Sequence, residues 1–283
     1  MRFALLILAV MLAGAGCTPA PRPPVAPQLS PPASVAPVGE LRVPVLMYHR
    51  VGVVPARDPY GLFVSTSTFR AQMQALKDDG WSVILLEELL YAFDGDNRGS
   101  GGEPIVLDKS VVITFDDGNR DTYTNAFPIL KEFGYLATVF VMTGPVSNHA
   151  TSYMTPEMLS ELKEHDWGMQ PHTRWHEILT RIPEAQAREE IVSSKEFLER
   201  ELPHYRGYGE MGQNIFAFAY PNGEENEAVR ALLREAGIDF AFTIREGTVT
   251  TSSDPMALPR VRMGEDHGVK KFLKRLRAFA GRE

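Results

Sequence analysis

The 283-residue sequence predicts an α/β fold, a distorted (β/α)7–8 barrel that forms a single catalytic domain. Three observations predict it. Short β-rich runs recur at 43–47, 82–85, 111–115, 137–141, 167–170, 215–219, 239–243 and 258–262, and most are continuously apolar, as strands covered on both faces should be. Helical patterns lie between them, and strands alternating with helices imply parallel pairing through right-handed crossovers. Ionisable residues gather just past the strand ends, which is where a barrel carries its chemistry.

The chain opens with Met1-Arg2 and an apolar run of 10 residues from Phe3 to Leu12. A bilayer span needs about 20 residues, so this run is too short to cross one. Small residues Ala13-Gly14-Ala15-Gly16 then precede Cys17. The arrangement is that of a secretory signal. It resembles a bacterial lipoprotein cleavage box, with Gly14 where that box prefers Leu and Cys17 as the lipidated residue. Residues 18–39 contain 8 prolines in 22 positions and read as an extended tether of about 3.1 Å per residue. The expected organisation is 1–17 signal and anchor, 18–39 linker and 40–283 catalytic domain. The expected location is the cell envelope, lipid-anchored to a membrane and facing the periplasm.

Helical patterns follow in order. Residues 69–79 align Phe69, Met73 and Leu76 on one stripe and stop at Gly80; 122–133 stop at Gly134. The run 156–165 follows Thr155, a good N-cap, with Pro156 and Glu157 in its first turn. Patterns at 183–201, 224–236 (closed by Gly237) and 269–280 complete the set. Residues 94–103 read as a solvated loop without a phosphate-binding motif.

Composition narrows the partners. Lys plus Arg number 29 against 36 Asp plus Glu, a net charge of -7. That balance lacks the basic footprint of a nucleic-acid binder. A single cysteine excludes an internal disulfide and any CxxC zinc site. A metal would have to be held by histidines and carboxylates.

Such residues stand at the strand ends: Tyr48-His49, Asp116-Asp117-Gly118, Thr143, His172 and Tyr220-Pro221. Two adjacent carboxylates at the mouth of a buried strand need a cation or donors. His172 and His176, four apart on a helix or tight turn, present both rings on one side. With a strand-end aspartate they supply the three protein ligands of a catalytic zinc, which keeps one position open. The other aspartate is then free to act as a base.

TFDDG at 114–118, HTRWH at 172–176 and FAYPNG at 218–223 resemble the first three motifs of the polysaccharide deacetylases, carbohydrate esterase family 4. PVLMYHRV, beginning at Pro44, AFT at 241–243 and LPRVR at 258–262 are similar to the branch that acts on poly-β-1,6-N-acetylglucosamine. The resemblance implies metal-dependent hydrolysis of N-acetyl groups on an N-acetylglucosamine polymer, with release of acetate. An O-acetyl esterase acting on a xylan-type polymer and an inert sugar-binding lipoprotein are the alternatives. Asp117, His172 and His176 would hold Zn2+ or another divalent ion such as Co2+ or Ni2+. Asp116 would be the base, Tyr220 would offer its backbone N–H to the oxyanion, and His49 would be the acid, reaching the leaving nitrogen from the side opposite the base. The late Leu-x-His motif of many relatives is absent.

The third motif contains no arginine to tune the base, which leaves Arg120 and Arg174 as candidates, both more simply read as solvent-facing. Gln170-Pro171 replaces the small polar pair usual before the first metal histidine. Asp266-His267 reads as a polar loop, His149, His165 and His204 as surface residues, and Met142, Phe216 and Phe218 as core. The sequence ends at Glu283 soon after the last run, so no second carbohydrate-active domain is expected behind the barrel.

Overall fold

A computed structural model describes residues 41–93, 108–202 and 215–282. All of them fall in the compact unit Gly39–Glu283. The expectations for the signal, Cys17, the linker, the 94–103 loop and His204 lie outside the described residues.

The eight expected runs are strands. They are β1 (Val45–Tyr48), β2 (Ser82–Ile84), β3 (Ser110–Phe115), β4 (Thr138–Val141), β5 (Gly168–Pro171), β6 (Ala217–Ala219), β7 (Phe240–Glu246) and β8 (Leu258–Arg262). Seven lie in the order β5-β4-β3-β1-β8-β7-β6, and β2 adds to β3. All these pairings are parallel, with Val45 opposite Val112 and Val261 opposite Leu46. The sheet curls into a barrel that is nearly closed, as the alternation predicts. Every residue of β1, β3 and β4 is buried, which is why those runs are continuously apolar.

Among the described residues the α-helices are α1 (Thr66–Asp78), α2 (Leu86–Phe93), α3 (Phe127–Phe133), α4 (Thr143–Ser147), α5 (Pro156–Glu164), α6 (Glu184–Glu201), α7 (Glu227–Glu235) and α8 (Val269–Phe279). Their starts follow cap chemistry. Ser65, Thr155 and Asn226 accept from the N–H groups of Thr68, Met158 and Val229. Phe69, Met73 and Leu76 of α1 are buried, and Phe69 meets Tyr48 edge-on. Two differences stand out. The expected helix at 122–133 is a π turn (Thr122–Ala126) leading into α3. The one at 224–236 starts three residues later, because Pro221–Gly223 forms a separate turn and Asn226 is the cap. The short helices α2 and α4 follow their strands so closely that no separate pattern marks them.

Tyr48 belongs to this packing and not to the barrel mouth, since its hydroxyl donates to Gln72. Glu87 is buried on α2. Burial pushes its carboxyl up to about 7 from an ordinary 4.5, against a hydrogen bond from Gln170. A carboxyl raised in the folded state contributes stability below its unfolded value and loses it as pH rises through the folded value. The gap corresponds to roughly 3 kcal/mol. Glu87→Gln should therefore gain stability relative to wild type by about that amount between pH 4.5 and 7.5. Denaturant unfolding across that range checks it, and a difference that stays constant with pH would contradict it.

Candidate metal centre and active site

The mouth of the barrel is built from the turns that follow β1, β3, β5 and β6. After β3 the chain passes through Asp116, Asp117 and Gly118, the last two left-handed at φ 76 and 75. Left-handed backbone is uncommon for a side-chain-bearing residue. Gly118 also packs its α-carbon face against Val141, where a Cβ would sit at 3.4 Å. Asp117 is oriented by Asn119, whose amide lies 3.4 Å from its Oδ2.

His172 and His176 do not lie on a helix. They bracket a tight turn in which Thr173 and His176 are left-handed, at φ 63 and 62. The Thr173 hydroxyl accepts from His176 N–H at 2.8 Å. Trp175 N–H donates to the buried Glu190 at 2.7 Å. The turn is tied to α4 by Thr143 and Gly144, whose N–H groups donate to Thr173 and Arg174. The Trp175 ring lies on Gly144, where any Cβ would come within 2.6 Å of it. The two imidazoles meet edge-on at 4.9 Å.

Asp117, His172 and His176 each present one ligand atom, all within 4.8 Å of one another. The Asp117 Oδ1 lies 3.6 Å from His172 Nε2 and 3.8 Å from His176 Nε2. Those separations are too long for hydrogen bonds. Four-coordinate bonds of 2.0–2.2 Å put neighbouring ligand atoms about 3.3–3.6 Å apart, so the gap fits a divalent ion. His172 uses Nδ1–H on the Ala219 carbonyl at 2.6 Å, which turns Nε2 toward Asp117 as an acceptor. Burial and the neighbouring His172 lower the His176 pKa, which favours its neutral form.

Asp116 is buried but for the cavity it lines, and it is paired. Arg260, buried in β8, donates from both Nη atoms to the two carboxylate oxygens at 2.7 Å. Its Nε donates to Thr243 O at 3.1 Å, and it sits over the Phe140 ring. Burial opposes ionisation of Asp116, but the Arg260 guanidinium overrides it and holds the carboxyl well below the usual range. Neither arginine expected from the sequence reaches Asp116. Arg120 binds Tyr153 O and Arg174 stands near Glu189, while the arginine that meets Asp116 is Arg260, within LPRVR. The signal is physical: a cation in the middle of a strand with apolar neighbours on either side, such as Val261, needs a buried partner.

His49, just past β1, places Nε2 3.9 Å from Asp116 Oδ2. It therefore stands beside the carboxylate, not across from it as expected. Burial lowers its pKa against the pull of Asp116 and Asp117, and its Nδ1 is buried without a partner.

The expected role of Tyr220 fails on geometry. Its backbone N–H donates to Phe242 O at 3.0 Å and its hydroxyl to Met256 O at 2.9 Å. The backbone group is committed to the β6–β7 ladder. Pro221 has no N–H; Asn222, left-handed at φ 56, is the next residue that does.

His49, Asp116, Asp117, His172, His176 and Asn222 all line one cavity of about 540 Å3. Exposed Tyr60 and Trp175 stand on its walls. Met142 is buried as expected but also reaches this cavity. Phe218 is core, Phe216 is half-buried and His149 is exposed. His165 is half-buried against Phe127. His267 is buried, not loop-exposed, and its Nδ1 accepts from Gly264 N–H at 2.9 Å.

Residues 105–241 match the family described as polysaccharide deacetylase. YxkH of Bacillus subtilis, which carries a polysaccharide-deacetylase name, is 29% identical over 222 residues, covering 78% of this chain and 71% of that protein. The poly-β-1,6-N-acetyl-D-glucosamine N-deacetylase of Staphylococcus aureus is 28% identical over 224 residues, 74% of this chain and 71% of that one. The Streptococcus pyogenes deacetylase PplD, solved in complex with acetate, superposes with a TM-score of 0.74 at 27% identity, covering 84% of this chain and 99% of that one.

Removing the guanidinium by Arg260→Met should leave a buried unpaired carboxylate and cost about 3–5 kcal/mol. Adding Asp116→Asn should recover most of that loss, because no charge then needs a partner. Urea unfolding of the single and double variants checks it; a double variant as unstable as the single would contradict it.

Proposed function

We propose that the chain is a polysaccharide deacetylase, like the family its residues 105–241 match, and that it hydrolyses N-acetyl groups on an N-acetylglucosamine polymer and releases acetate. The observation that carries the reading is the convergence, in one cavity, of an Asp117–His172–His176 triad spaced for a divalent ion with the Arg260-held Asp116 and with His49.

Asp117, His172 and His176 would hold the ion, with zinc first for a set of two imidazoles and one carboxylate. When bound, such an ion polarises a carbonyl and makes water more acidic. Asp116, kept ionised by Arg260, takes a proton from the attacking water as its oxygen bonds to the acetamide carbon. The backbone N–H of Asn222, in place of Tyr220, is the donor we assign to the developing oxyanion. The carbon–nitrogen bond then breaks as His49 gives a proton to the leaving amine, and acetate and a free amine result. Acid and base share one wall, so the proton that Asp116 takes from water is the one it hands to neutral His49, and His49 passes it to the amine as that bond breaks.

We further propose that Cys17 carries a lipid and that the proline-rich 18–39 segment holds the domain off the membrane at the cell envelope, a reading supported by the order of apolar run, small residues and Cys17.

Three outcomes are expected. Purified protein holds about one divalent ion per chain by mass spectrometry, and Asp117→Ala, His172→Ala or His176→Ala each lower that content. Acetate release from poly-β-1,6-N-acetylglucosamine exceeds that from chitooligosaccharides and acetylated xylan, and stops on chelation; full activity after verified removal of metal would sink the mechanism. His49→Ala and Asp116→Asn keep the metal but lose on the order of 10²–10⁴-fold in turnover, whereas normal turnover per folded His49→Ala molecule would move the acid elsewhere. Separately, Cys17→Ser shifts the protein from membrane to soluble fractions; identical fractionation without a lipid by mass spectrometry would make Cys17 incidental.

A further inference from the structure

The barrel has one seam that backbone pairing does not close. Among the described residues, β4 pairs with one edge of β5 and β7 with one edge of β6, but no ladder joins β5 to β6. On β5, Gly168 and His172 give their N–H groups to Ala137 and Val141 of the β4 side. By the alternation of a strand, Met169 and Pro171 then face the seam. Pro171 has no N–H to offer there, the usual place for a proline in a sheet.

On β6 the same alternation turns Ala217 and Ala219 toward the seam. One polar group of each is met by a side chain. Gln170 Oε1 accepts from Ala217 N–H at 3.0 Å and from Phe216 N–H at 3.2 Å. His172 Nδ1–H donates to Ala219 O at 2.6 Å. The other end of the Gln170 amide is held by the buried Glu87 carboxyl. Gln170 is itself completely buried. With the amide oxygen committed to two N–H groups, its NH2 must face Glu87, so the orientation of the amide is fixed.

We propose that Gln170 is a positioning residue for the metal centre, and that metal binding and closure of the β5–β6 seam are one coupled event. The seam has two stitches. One is Gln170, anchored by Glu87. The other is His172, whose opposite ring nitrogen is a ligand in the metal-centre reading, on which this inference rests. An ion that fixes the His172 ring fixes its Nδ1–H on Ala219, and thereby the spacing at which Gln170 meets Ala217. The coupling runs equally in reverse: loosening Gln170 lets β6 drift from β5, and the ring then loses the carbonyl that sets its angle. Partners behind a ligating histidine carry such weight that their loss costs 10–100-fold in metal affinity.

The test uses the full-length protein with zinc or cobalt as the probe. Hydrogen exchange is followed at Phe216 and Ala217 and, for reference, at Val112 to Thr114 in the middle of the closed ladder. Binding should slow exchange at the seam amides at least tenfold more than at the reference amides. Gln170→Met should keep the fold and weaken cobalt binding by 10–100-fold, read from the visible absorption of the bound ion. The exchanged pair Glu87→Gln with Gln170→Glu, which keeps an acceptor toward β6 and a donor behind it, should restore affinity to within about threefold. Equal slowing at seam and reference amides, or unaltered cobalt affinity in Gln170→Met, would overturn the coupling while leaving the metal centre intact. Failure of the wild-type protein to take up either ion would instead remove the metal centre, and the coupling with it.

Discussion

The Arg260–Asp116 pair is the interaction on which the rest of this structure hangs. It crosses the barrel interior, from a strand near the end of the chain to the turn that begins the site, 144 residues apart. Arg260 is wholly buried and Asp116 reaches only the cavity, so each is tolerated only in the presence of the other. The bidentate geometry does more than neutralise. It fixes the plane of the carboxylate, and because Asp117 is the next residue, it also limits where the candidate ligand can stand. The backbone of Asp116 remains in the sheet, donating to Tyr48 O, so the pair is referenced to rigid strands and not to a loop.

Around that fixed point the site is assembled from strained turns. Asp117, Thr173, His176 and Asn222 all carry left-handed backbone, and all four belong to the turns that form the cavity mouth. Such conformations cost of order 1–3 kcal/mol each and persist only where neighbours hold them. Here the neighbours are identifiable: Asn119 behind Asp117, the Thr173 hydroxyl under His176, Glu190 on Trp175 and the Gly144 surface beneath the indole. The turns buy convergence of side chains that regular strand ends would splay apart.

How much of this was legible in the sequence depended on whether the information was local. Most of the eight strand runs could be read because both their faces are covered, which makes the run itself apolar. The His172–His176 spacing could be read as shared direction, but not as a turn, since left-handed Thr173 leaves no mark on composition. Arg260 escaped because its meaning lies in a partner remote along the chain; LPRVR reads as a resemblance before it reads as a buried cation. Tyr220 was misassigned for a related reason. Whether an N–H is free depends on which strand lies alongside, and only the register with Phe242 reveals that it is taken.

The open seam has a consequence for how the chain assembles. The strands form two consecutive blocks: β1 to β5 come from residues 45–171, and β6 to β8 from residues 217–262. Among the described residues, backbone ladders join the blocks where β1 meets β8 and, just beside it, where Arg42–Val43 runs antiparallel to Val249–Thr250. Each block can therefore zip up as an open sheet from neighbours close in sequence, with little loop entropy to overcome. The search across the length of the chain is confined to this one corner, where β1 meets β8 and Arg42–Val43 meets Val249–Thr250. Final closure asks for no further register, just the seating of two side chains. A ring of this size thus reaches its native form without ever having to match both ends of a ladder at once.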